Sequence, residues 1–149
     1  MKITLVTITP RGIRQQEFRS LVQMYLKRAS AYLKVELIEL PNESAFLDLL
    51  SKRSGRIRPH VVLGDSRGKQ FSSEELSAEI SKAADRGEIE WLFAIGPADG
   101  WSQTALDLSN LKVAFGRITL PHELALVVAA EQIYRALTIR ANHPYHIEH

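Results

Sequence analysis

The sequence has no cysteine, which removes disulfides, thiolate metal sites and thiol nucleophiles at once. It also lacks a long apolar run. The stretch over residues 1–6 soon meets Pro10 and Arg11, too short for a signal-peptide core or a membrane span. A cytoplasmic protein with no membrane partner is therefore the expectation. No repeat, low-complexity segment or linker divides the 149 residues, so one domain over 1–149 is expected. What is present is ordinary for a globular chain: 45% hydrophobic and 24% charged residues, enough for one core.

The net charge of +2 hides an uneven distribution. Residues 1–60 carry eleven Lys/Arg against five Asp/Glu, and residues 61–149 carry eight against twelve. A basic first part attracts phosphates at range. The plainer reading is a solvated face with scattered cations.

Strand-like and helix-like stretches alternate. Residues 2–9 are β-branched and apolar and read as a buried strand. Residues 13–29 place Phe18, Leu21, Val22, Tyr25 and Leu26 at helical spacing. A strand over 34–40 and a helix over 44–52 follow. Residues 61–63 form a short strand that ends in a loop over 64–69. Ser72 with Glu75 is a capping box that starts a helix, which stops at Gly87. A strand over 90–95, a short helix to about 109 and a strand within 111–120 come next. Pro121 suits the first position of a long helix, with Leu124, Val127, Val128, Ile133 and Leu137 as apolar members. Asn142-His143-Pro144 ends it, and the bland reading of 145–149 is a disordered end. The alternation argues for an α/β domain, a mostly parallel sheet with helices on both faces. Ligands of such sheets bind beyond the carboxyl ends of strands, here the loops at 64–69, 96–100 and 116–121.

Within those loops, Gly96-Pro97-Ala98-Asp99-Gly100 lets backbone approach a ligand. It has neither the lysine of a phosphate loop nor dinucleotide glycine spacing. The tail holds His143, Tyr145, His146 and His149. Proline and the terminal position argue against a metal site there, and no metal is expected. Tyrosine stacks on bases, and histidine binds phosphate or moves a proton. Glu131 and Arg135, four apart, read as an exposed ion pair.

Taken in order, Tyr25-Leu26-Lys27-Arg28, the stretch from Glu36 to Pro41, Gly68-Lys69 before Ser72-Ser73-Glu74-Glu75, Leu120-Pro121-His122, Glu131 with Tyr134-Arg135-Ala136, and Asn142-His143-Pro144-Tyr145-His146 are similar to segments of one family. The chain resembles the ribosomal RNA large-subunit methyltransferase H family of the SPOUT superfamily over essentially its whole length. The resemblance implies a SPOUT fold with a C-terminal trefoil knot, a homodimer, and S-adenosyl-L-methionine as cofactor. It implies methylation of N3 of a pseudouridine in 23S (large-subunit) ribosomal RNA, on assembled ribosomes. It places the cofactor at Leu63, Gly64, Gly96, Pro97, Gly116, Arg117, Ile118, Thr119, Leu120 and Pro121. His146, Tyr145 and His143 become the catalytic candidates, with Asp65 and Glu131 as alternative bases. Arg14, Lys27, Arg28, Arg56, Arg58 and Asn142 become RNA contacts; Arg14, Lys27 and Arg28, with Arg19, are expected on one helix. Relatives usually have a second glycine where Pro97 stands and leucine where Gly64 stands. Because proline has no amide hydrogen, a competing reading is a noncatalytic RNA- or ribosome-binding module that no longer binds the cofactor.

Overall fold

The computed structural model describes residues 1–53, 55 and 57–149. In chain order its elements are β1 (Lys2–Ile8), α1 (Gln16–Ala29), β2 (Lys34–Leu40), α2 (Glu43–Lys52), β3 (His60–Gln70), α3 (Ser73–Asp85), β4 (Glu90–Ile95), α4 (Gln103–Leu108), β5 (Leu111–Ala114), α5 (His122–Arg140) and α6 (Tyr145–Glu148). The strands form one sheet in the order β2-β1-β4-β3-β5, every adjacent pair parallel. Parallel neighbours need long crossovers, which the helices supply.

Every residue of β4 is buried, as a strand covered on both faces requires. Its alternation divides the core. Trp91, Phe93 and Ile95 pack with residues of α1, α3 and α5. Leu92 and Ala94 pack with Phe46 and Leu50 of α2 and Ala105 of α4. The helices thus lie on both faces, as the alternating sequence implies.

Local signals set several boundaries. Ser72 Oγ accepts from the Glu75 N–H at 3.1 Å and starts α3. Gly87, at φ 80°, ends it: the N–H groups of Gly87 and Glu88 bond the Ala84 and Ala83 carbonyls, a Schellman arrangement. Asn142, at φ 55°, repeats the device after α5. Its N–H bonds the Ile139 carbonyl, and the His143 N–H bonds that of Thr138.

The structure also corrects the sequence-based boundaries. α1 begins at Gln16, not 13: Gln15 is extended, at φ −91° and ψ 125°, and the Ile13 and Arg14 N–H groups go to Glu39 and Glu123. Arg14 therefore precedes the helix. Pro121 caps α5 from outside its first turn. Leu124 faces solvent, 36% exposed, whereas Val127, Ile133 and Leu137 are buried. Residues 145–148 form a helical turn instead of a disordered end.

The largest departure is β3, which continues to Gln70 instead of ending at Leu63. Gly64 and Lys69 are both in register with Val113 of β5, so residues 65–68 arch away from the ladder and return. The return is tight: a Cβ on Gly68 would lie 2.7 Å from the Lys112 carbonyl carbon and 2.8 Å from the Val113 nitrogen. Backbone cannot yield as a flexible side chain can. Gly68→Ala is therefore expected to destabilise the fold by about 1–3 kcal/mol, the usual range for overpacking. Urea unfolding followed by circular dichroism reads this as a lower midpoint with an unchanged slope; an unchanged midpoint would show that the arch can give way.

Candidate functional site

The loops after the carboxyl ends of β3, β4 and β5 converge on a cleft of about 460 Å³, within the usual size of cofactor and ligand pockets. Gly64, Gly96, Pro97, Gly116, Ile118, Thr119 and Leu120, all singled out in the sequence, line it. Leu63, Arg117 and Pro121 lie outside the lining: Leu63 is fully buried in the α2–α4 side of the core, while Arg117 and Pro121 face solvent. Asp65 is the one carboxylate on the wall. Its side chain is only 8% exposed and accepts from the Arg67 N–H at 2.9 Å.

Trp101 and His122 complete the wall, and sequence reasoning missed both as site residues. The Trp101 indole lies close against Gly96, where a Cβ would come within 2.4 Å of Cε2. Its Nε1–H donates to the Gly64 carbonyl at 2.8 Å, and its ring packs on Phe46. A lone tryptophan after a glycine turn was the available signal. His122 Nε2 lies 2.8 Å from the Thr7 hydroxyl, and its ring also hydrogen-bonds the Gly96 backbone. Burial pushes His122 below its ordinary value of 6.5, against the opposing pull of the Gly96 bond and Glu123.

The tail forms a second cluster, and none of its residues lines the cleft. Tyr145 packs on Tyr134, ring centroids 4.6 Å apart, and its hydroxyl donates to Glu131 at 3.0 Å. Burial, followed by that bond, pushes Tyr145 up to about 12. The Arg135 guanidinium sits 4.9 Å over the Tyr145 ring, bonds Glu131 through Nε at 2.9 Å and reaches His146 Nδ1 at 2.9 Å. Glu131 and Arg135 are 17% and 13% exposed, so the pair expected on the surface is largely covered. A guanidinium only donates. His146 Nδ1 must therefore accept, which leaves Nε2–H to donate to Glu74 at 2.7 Å. His143 Nδ1 accepts from the Tyr145 N–H. Among the described residues, no group of three His, Asp or Glu is placed to hold a metal.

The basic region is divided. Lys27 and Arg28 are exposed in the last turn of α1, with Arg28 over the Tyr25 ring. Arg14 is exposed before the helix begins. Arg19 is held by Glu39 at 2.8 Å, and Arg53 by buried Glu90. Arg58 lines a separate cleft of about 340 Å³. Arg56 lies outside the described residues. Asn142 supplies the left-handed turn after α5.

The family model described as predicted SPOUT methyltransferase matches residues 1–146. A ribosomal RNA large subunit methyltransferase H from Koribacter versatilis is 43% identical over 149 residues, covering 100% of both chains. The protein of that name from Enterococcus faecalis is 37% identical over 160 residues, covering 98% of this chain and 99% of its own. Among solved structures, the SpoU methyltransferase AviRb from Streptomyces viridochromogenes, in complex with the cofactor AdoMet, matches with a TM-score of 0.50 at 11% identity. That match covers 95% of this chain and 61% of AviRb, and the likeness is one of fold.

Two outcomes follow from the cleft. Gly96→Ala is expected to displace Trp101 and change its fluorescence emission, while Trp91, fully buried elsewhere, reports no change; an unaltered spectrum would refute the close contact. Burial also lowers His60. For both histidines the folded value lies below the unfolded one, so the unfolded chain binds more protons as pH falls. Their stabilisation is complete above about 6.5 and declines below it. Unfolding free energy is expected to fall from pH 7 to 5, less steeply in His122→Asn, as measured by denaturant titration at each pH.

Proposed function

The chain belongs to the ribosomal RNA large subunit methyltransferase H family of SPOUT methyltransferases, and from that premise we propose that it methylates N3 of a pseudouridine in 23S ribosomal RNA, on the assembled ribosome, with S-adenosyl-L-methionine as methyl donor. The observation that carries this reading is the cleft where three strand-end loops meet. In the same reading the C-terminal segment forms a trefoil knot, the protein is a homodimer, and it works in the cytoplasm.

The residues present fit the cofactor. Ile95, Val113, Ile118 and Leu120 give the cleft apolar walls of the kind that hold an aromatic ring. Asp65 sets a carboxylate on the wall for a cationic ligand. Pro97 offers no amide hydrogen, so donors to the ligand come from other loop residues. When bound, S-adenosyl-L-methionine supplies a methyl group already activated by its sulfonium.

The protein's share is alignment, exclusion of water and handling of the N3 proton. Tyr145, held near 12, donates a hydrogen bond at neutral pH and does not act as a base. His146 has both ring nitrogens engaged, so it orients the target. Asp65 is the carboxylate within reach of a ligand in the cleft. The tail lies away from its own chain's cleft, which supports a homodimer in which His143, Tyr145 and His146 of one subunit serve the cleft of the other. Lys27 and Arg28 offer exposed cations for ribosomal RNA phosphates. The noncatalytic alternative rests on Pro97.

Calorimetric titration with S-adenosyl-L-methionine, then S-adenosylhomocysteine, is expected to show saturable binding, and labelled methyl to enter large-subunit rRNA of ribosomes. A folded protein that binds neither ligand would favour the noncatalytic module. Lys27→Glu with Arg28→Glu is expected to weaken ribosome binding and to make its salt dependence shallower, by about one unit of slope for each phosphate no longer neutralised. Co-sedimentation across a salt series reads this, and an unchanged slope would remove both residues from the interface.

A further inference from the structure

We propose that Glu131 is the positioning residue of the C-terminal tail: its carboxylate fixes the Tyr145 hydroxyl and the Arg135 guanidinium, and through Arg135 it sets the tautomer of His146. The proposal rests on the methyltransferase reading, which gives Tyr145 and His146 their place at the target base.

One oxygen of Glu131 gathers the donors. Oε1 receives the Tyr145 hydroxyl at 3.0 Å and Arg135 through Nε at 2.9 Å and Nη2 at 2.7 Å. The other oxygen is anchored to the scaffold. Oε2 accepts from Gln132 Nε2 at 2.7 Å, and Gln132 Oε1 accepts from Ser73 Oγ at 2.7 Å, at the first position of α3. Beyond Arg135 the chain of bonds runs through His146 to Glu74, again in the first turn of α3. The network therefore starts and ends on α3, with α5 and α6 between.

Burial alone does not hold this tail, since α6 has four residues and none is buried. Tyr145 packs against the core beside Tyr134, and a set of directional, charge-assisted bonds adds the orientation that apolar contact alone does not fix. Every polar side-chain atom of Tyr145 and His146 is placed by it. Glu131 is the member that touches both Tyr145 and Arg135, so removing its charge loosens the hydroxyl directly and the imidazole at one remove. The titratable groups facing this cluster from outside it include Glu74 of α3, Tyr25 of α1 and His149, whose ring lies 4.8 Å from that of Tyr145.

The test is Glu131→Gln in the full chain, which keeps shape and removes charge. The first readout is ultraviolet titration of tyrosinate, with Tyr145→Phe assigning the signal. Of the four tyrosines, the wild type should keep Tyr145 protonated longest, and Glu131→Gln should let it ionise at a lower pH than in the wild type, part of the rise remaining because burial contributes most to it. The second readout is methyl transfer to ribosomes. A fall in kcat of about 10- to 100-fold, the scale expected of a misplaced reacting group, with the Kd for S-adenosyl-L-methionine unchanged, supports positioning. A wild-type tyrosinate titration in Glu131→Gln overturns the proposal, as does an unchanged kcat or a cofactor Kd that weakens in step with kcat. If Glu131→Gln does not fold, Glu131→Asp, which keeps the charge and withdraws it by one methylene, faces the kcat and Kd criteria. A wild type that neither binds the cofactor nor methylates ribosomes sinks the methyltransferase reading; the tyrosinate titration then still decides whether Glu131 anchors the tail.

Discussion

The cleft depends on one contact, the Trp101 indole packed closely against Gly96. The indole fills the space a side chain at 96 would take, and its N–H bonds the Gly64 carbonyl. One residue thus joins the loop after β4 to the loop that leaves the β3–β4 ladder. The ring also packs on Phe46 of α2, centroids 5.3 Å apart, which ties this junction to the core. From the other side, His122 links Thr7 at the end of β1 to the backbone of Gly96. The floor of the cleft is therefore set by two aromatic rings that each serve several elements.

The two ends of the sheet solve opposite electrostatic problems. At the amino end, Glu90 is buried and surrounded by Arg53, Lys2 and the Thr4 hydroxyl. A buried carboxylate is tolerable only with such partners, and the cluster seals that end with charge. At the carboxyl end the apolar walls stay open and only Asp65 among the lining residues carries negative charge. Asp65 is itself paired, its carboxylate 3.5 Å from Nε of Arg67, whose side chain is 73% exposed, whereas the cations around Glu90 are more deeply covered.

Much of the scaffold was legible in the sequence because its signals are local. β4, covered on both faces, reads as an unbroken apolar run after Glu90, and the edge strand β2 as a partly alternating one; both were placed without error. Ser72 with Glu75 and Gly87 bounded α3 because caps act within a few residues. The loops at strand ends followed from the alternation, and with them most of the cleft lining. The rest depends on partners far apart in sequence. The second half of β3 is polar from Asp65 to Gln70, so its extended backbone, which the register with β5 supports, left no pattern of its own. Arg19 looked like a free cation on a basic helix until Glu39 was brought beside it. The tail looked disordered because Glu74, which holds His146, lies 72 residues earlier. The family resemblance covered ground that local physics did not, since it marked the whole chain as one family member.

Asn142 has a consequence for reach. A residue in the left-handed region turns the chain sharply after α5, and glycine would do so with less strain. Glycine would also let the following segment swing through many directions. Asparagine, more restricted, with its N–H and that of His143 both bonded back to the helix, sends the chain off at one angle. That one residue therefore fixes the angle at which the chain reverses, so that Tyr145 and His146 return to Glu131 and Arg135 of the helix they have just left.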